Sequence, residues 1–146
     1  LTPKGPKVIE YNCRFGDPET QVVLPMLKTD LMEIFEAVTD GTLDKIKIEW
    51  EEGACVCVVL ASGGYPVHYQ KGKEIIIGDV GDCQIIHAGT AVKDGKLVTN
   101  GGRVLGVVAK GKNTDEARKK AYAAVKNISW EGMSYRTDIG VKYREG

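Results

Sequence analysis

The sequence predicts an α+β fold in which a small, mostly antiparallel β domain, barrel-like or sandwich-like, carries one long packed helix. Three observations predict it. From about residue 45 onward, short apolar segments follow one another at close intervals, separated by glycine-containing turns, as antiparallel strands require. Asp94-Gly95 separates residues 90–93 from residues 96–99 and is the strongest hairpin signal in the chain, because both turn positions need positive φ. A single long helical stripe, Ala117, Ala121, Ala124, Val125 and Ile128, follows a cap at Asn113 or Thr114.

Taken in order, residues 7–15 alternate after Val8-Ile9 and read as a strand. Asp17 is placed to cap a short helix over about 18–24, with Pro18 at its first position and its end near Pro25. Asp30 opens a second helix, and Glu33 three residues later completes a capping arrangement. Leu31, Ile34, Phe35 and Val38 share one face of it, and Gly41 ends it. Residues 46–50 alternate as a strand, and residues 54–61 form a nearly continuous apolar run that suits a buried one. Ser62-Gly63-Gly64-Tyr65-Pro66 is a loop. Strands are expected at 74–77, 84–87, 90–93, 96–99 and 103–110, then the helix to about 127, then a turn or short strand over 133–140. The chain therefore divides at about residue 44. Residues 1–44 are strand-helix-helix with too little apolar material to fold well alone, and residues 45–146 are β-rich.

Composition narrows the functional classes. Basic and acidic residues balance at 20 each, which gives no electrostatic case for a nucleic-acid partner or a membrane surface. No apolar run approaches the roughly 18 residues that span a bilayer, and the start of the chain has no apolar signal region. The four cysteines, Cys13, Cys55, Cys57 and Cys83, form no Cys-x-x-Cys pair. They read as buried thiols in a cytoplasmic protein, with Cys55 and Cys57 on one strand face. The chain opens on Leu1 and almost directly on a strand, which suggests a piece of a longer polypeptide.

The chemistry-bearing run is Glu10-Tyr11-Asn12-Cys13-Arg14-Phe15-Gly16-Asp17-Pro18-Glu19. On a strand, Glu10, Asn12 and Arg14 project from one face. A carboxylate and an amide oxygen are hard donors suited to Mg²⁺, which completes its shell with water and phosphate oxygens. A guanidinium two residues on can grip a phosphate through paired hydrogen bonds. By spacing alone, a solvated strand face explains the same pattern.

Further motifs weigh against the solvated face. Glu-x-Asn-x-Arg followed by Phe-Gly-Asp-Pro-Glu-Thr-Gln resembles the metal-binding strand of ATP-grasp ligases, and the full run resembles the phosphoribosylamine–glycine ligase family in particular. Similar stretches continue in order at 23–25, 27–31, 61–66 (Ala-Ser-Gly-Gly-Tyr-Pro), 87–90 (His-Ala-Gly-Thr), 101–105 (Gly-Gly-Arg-Val-Leu) and 135–140 (Tyr-Arg-Thr-Asp-Ile-Gly). The resemblance implies that residues 1–44 end an ATP-grasp domain and that residues 45–146 are the family's C-terminal domain. It implies an ATP-dependent joining of glycine to 5-phosphoribosylamine through a glycyl phosphate. It implies Glu10 and Asn12 as ligands of Mg²⁺ or Mn²⁺, and Arg14 as a contact of the transferring phosphoryl group. Arg103 is a candidate for a substrate phosphate or carboxylate, against a surface ion pair. Asp17 and His87 are weaker substrate candidates beside their structural readings, a helix cap and a packed or hydrogen-bonded histidine. Asp138 reads as a local partner of Arg136. The chain has no phosphate-cradling glycine loop, so alone it is expected to be inactive and to bind ATP weakly at most. Two competing readings are a biotin-carboxylase-type ATP-grasp enzyme, which the Phe-Gly-Asp-Pro-Glu continuation disfavours, and a non-catalytic β-rich docking module.

Overall fold

The structure is a computed structural model and describes residues 2–9, 11 and 13–141. It is built from antiparallel sheets and a few helices. Its centre is one strand, β6 (Arg103–Gly111), hydrogen-bonded to β1 (Ala54–Ala61) on one side and to β3 (Gln84–His87) on the other. The β1–β6 register runs from Ala54 opposite Gly111 to Leu60 opposite Leu105, and an irregularity then sets Ala61 opposite Arg103. Two small sheets flank it: β2 (Ile76–Ile77) with β7 (Ile128–Ser129), and β4 (Thr90–Lys93) with β5 (Lys96–Thr99). At the β4–β5 turn, Asp94 and Gly95 take φ of 51° and 76°, the paired left-handed conformation that the sequence predicts there.

The helix α3 (Thr114–Val125) lies against β6 and β1. Its contact face is Ala117, Ala121, Ala124 and Val125, all buried. Three alanines keep that face low, so the helix sits close to the valine and leucine side chains below it. Val58, Leu60, Val104, Leu105 and Val107 are excluded from solvent completely and form the opposing surface. The Asn113 side chain accepts a hydrogen bond from the Glu116 N–H at 2.9 Å, and Glu116 accepts from the Lys112 N–H at 3.1 Å, so the first turn is capped twice. The buried polar residues are paired: Ser62 donates to Gly101 O at 2.8 Å, and the Thr99 hydroxyl accepts from Lys73 N–H at 3.1 Å.

Several expectations for the first fifty residues are corrected. Among the described residues of 7–15 there is no strand. The first helix, α1, is Thr20–Val23 and tightens into a 3-10 turn at Leu24–Met26, where Pro25 has no N–H to continue the α pattern. Its N-cap position is Glu19, in helical conformation, so Asp17 does not cap it. Helix α2 (Leu31–Thr39) opens as predicted, with Asp30 accepting from Met32 N–H at 2.7 Å. Its predicted apolar face is only partly covered: Ala37 is its one buried residue, while Phe35 and Val38 are 47% and 57% exposed. Residues 46–50 make a single bridge, Trp50 to Leu27, because the extended stretch opposite them is too short for a ladder. The strand expected over 74–77 reduces to Ile76–Ile77, with Glu74 bridged to Val98. Cys13 is exposed, contrary to the expectation of four buried thiols; Cys57 is buried, Cys55 and Cys83 are partly so, and all are free.

The packing argument separates two substitutions. Leu105→Ala, in the dry centre, is expected to cost about 3 kcal/mol of stability, and Asn113→Ala, which removes one cap, about 1 kcal/mol. Urea denaturation of each variant measures both, and equal losses would contradict the assignment of the core to the β6–α3 contact.

Candidate functional site

Alternation along β1 makes two surfaces. Val56, Val58 and Leu60 belong to the core shared with α3, while Cys57, Val59 and Ala61 face the other side of the sheet. There they form the floor of an open cavity of about 510 Å³, bounded also by Pro18, Tyr65, Arg103 and the segment from Ser134 to Ile139. The walls are positioned by specific contacts. The Tyr65 ring closes on Gly102, where a Cβ would collide with it, so the second glycine of Gly101-Gly102 permits this close approach. The far wall is strapped to α3. Arg118 donates to Ile139 O at 3.1 Å and Thr137 O at 2.9 Å, and the Tyr122 hydroxyl donates to Arg136 O at 2.6 Å while accepting from Ile139 N–H at 3.2 Å. Ser134 N–H donates to Ala61 O at 2.9 Å, joining that wall to the end of β1.

Arg103 and Arg136 are the two arginines that line this cavity, and Arg103 reaches it from the sheet. It opens β6, and the bulge between Leu60 and Ala61 turns it to the cavity side of the sheet. Its guanidinium donates to Asp17 O at 2.9 Å and pairs with Asp17 Oδ2 at 3.0 Å. The other carboxylate oxygen, Oδ1, accepts from Gln21 Nε2 at 2.8 Å. Asp17 is thus held from both sides, and Glu19 folds back to accept from Gly16 N–H at 3.1 Å. Burial, then the neighbouring Cys55 and Asp17, push the Cys57 thiol up to about 11, so it stays protonated at neutral pH. Arg136 holds Asp138 through two hydrogen bonds, of 2.9 and 2.6 Å, and these lower the Asp138 carboxyl below its ordinary value.

The predicted residues divide accordingly. Arg103 and Asp17, candidates from segments far apart in sequence, are brought into contact. Asp138 is the local partner of Arg136 that the sequence suggests. His87 is exposed, shares a hydrogen bond of 3.1 Å with Thr90, and does not line the cavity. Arg14 is exposed and donates to Phe15 O at 2.9 Å. Glu10 and Asn12 lie outside the described residues. Among the described residues no group of three or more acidic, histidine or cysteine side chains is placed to hold a metal ion. The sequence reading missed Gln21 and Tyr65. The Asp17–Gln21 spacing of four residues is a readable side-chain pair, whereas nothing local signals that the Tyr65 loop closes over Gly102.

Comparison with known proteins fits this arrangement. The family model described as "Phosphoribosylglycinamide synthetase, C domain" matches residues 55–142. A phosphoribosylamine–glycine ligase of Caldanaerobacter subterraneus is 54% identical over 144 residues, covering 98% of this chain and 34% of that protein. One from Synechocystis is 50% identical, covering 97% of this chain and 35% of that protein. The crystal structure of a phosphoribosylamine–glycine ligase from Thermotoga maritima superimposes with a TM-score of 0.74 at 42% identity, over 94% of this chain and 34% of that one. The chain spans about a third of the length of these relatives. By the family match over more than half its length, this chain belongs to the phosphoribosylglycinamide synthetase C-domain family.

Proposed function

We propose that the chain is part of an ATP-dependent ligase of purine synthesis that joins glycine to 5-phosphoribosylamine, giving glycinamide ribonucleotide, ADP and phosphate by way of a glycyl phosphate. The observation that carries this reading is the match of residues 55–142 to the synthetase C domain, together with relatives named phosphoribosylamine–glycine ligase at half or more identity. In this reading residues 1–44 complete an ATP-grasp domain, residues 45–146 form the C-terminal domain, and the parent protein works in the cytoplasm. No helix of the described residues is long and apolar enough to cross a membrane.

The roles follow from donor chemistry. Glu10 and Asn12 offer a carboxylate and an amide oxygen, the hard donors that Mg²⁺ or Mn²⁺ prefers. The bound ion would neutralise charge on the ATP phosphates. Arg14, two residues on, offers paired N–H donors to the transferring phosphoryl group and to the acyl phosphate that results. Arg103 supplies a cation from the C-terminal domain for the phosphate of 5-phosphoribosylamine. Asp17 links the first set to the second, since it lies three residues after Arg14 and touches Arg103.

Two experiments test the proposal. In the full-length ligase, Glu10→Gln is expected to lower kcat by about a hundredfold and raise the metal concentration needed for half activity. An unchanged metal dependence contradicts the assignment. The 146-residue chain by itself, titrated with ATP and Mg²⁺ in a calorimeter, is expected to bind no more tightly than about 1 mM, and sub-millimolar binding contradicts the division of the site.

A further inference from the structure

Every arginine has five N–H donors in a planar fork. Asp17 engages Arg103 twice, accepting one hydrogen bond through its main-chain oxygen and pairing ionically through Oδ2. Further N–H donors remain on a side chain that is 40% exposed and lines the cavity. The carboxylate of Asp17 has less to offer a ligand, because its second oxygen is taken by Gln21. Gln21 is itself held in one sense. Its Oε1 is buried without a hydrogen-bond partner among the described residues. Reversing the amide would turn that oxygen toward the Asp17 carboxylate and lose the one hydrogen bond the side chain makes among the described residues. The three side chains therefore form a directed chain: Gln21 orients Asp17, and Asp17 orients Arg103.

We propose that Gln21 and Asp17 are positioning residues that fix the Arg103 guanidinium for the phosphate of 5-phosphoribosylamine, and that neither contacts the substrate itself. This rests on the reading of Arg103 as the substrate's cation. A free arginine side chain must lose rotamer freedom when it binds an anion; one already held by a carboxylate has lost it beforehand. The chain also ties the turn at Asp17 to the start of β6.

The test is steady-state kinetics of the full-length ligase with each of its three substrates varied in turn, alongside thermal melting. Arg103→Gln is expected to raise KM for 5-phosphoribosylamine about a hundredfold, Asp17→Asn about tenfold and Gln21→Leu about fivefold. KM for ATP and for glycine stays within about twofold in all three. In the Arg103→Gln background, Asp17→Asn adds nothing further, because the group it orients is gone. Should Asp17→Asn fail to fold, Gln21→Leu carries the same test. If Asp17→Asn and Gln21→Leu leave KM for 5-phosphoribosylamine unchanged while Arg103→Gln raises it, the positioning role is wrong and the Arg103 reading stands. If Arg103→Gln itself changes nothing, the reading beneath it fails. Lowered melting with all three KM values altered together would make Asp17 and Gln21 structural residues and overturn the proposal.

Discussion

Pairing of β6 with a strand on each side constrains everything else in this chain. A strand hydrogen-bonded along both edges and buried on its faces cannot shift register without moving every side chain to the wrong side. That fixes Val104, Leu105 and Val107 toward the core. The same alternation, broken once at the irregularity beside Ala61, delivers Arg103 to the opposite surface. Core and site are thus two faces of one sheet. Close seating of the alanine face of α3 fills the first and leaves the second open.

The open face becomes a site because segments distant in sequence converge on it. The Gly16–Pro18 turn arrives from the N-terminal side, the Tyr65 loop folds over Gly102, and the segment from Ser134 to Ile139 is strapped down by Arg118 and Tyr122. The ion pair at Arg103 is half-exposed, and such pairs contribute little to stability. What it does provide is orientation: a guanidinium held at one edge presents the rest of its donors in a fixed direction.

Legibility in the sequence followed locality. The Asp94-Gly95 hairpin, the Asn113 cap and the α3 stripe each rest on neighbours within a few residues, and each appears where the residues put it. The buried run Ala54–Ala61 was legible because continuous apolarity has few alternatives. Errors arose where a partner decides. Residues 46–50 alternate, but the stretch opposite Trp50 is too short to pair with them. The apolar side of α2 suggests burial, yet Phe35 and Val38 find no cover among the described residues. Asp17 looked like a helix cap by position and instead serves Arg103, 86 residues away, which no local rule anticipates. For the site, motif order carried the family, while the contacts of Gln21 and Tyr65 needed the fold.

In the proposed ligase, residues 10–14 and the Arg103 cavity belong to one site. Anomalous diffraction from crystals of the full-length protein grown with Mn²⁺ and an ATP analogue tests it most directly. A single site gives a manganese peak bonded to oxygens of Glu10 and Asn12, on the side of Asp17 that Arg103 holds. A peak liganded by other residues, with Glu10 and Asn12 turned away from it, would contradict the account.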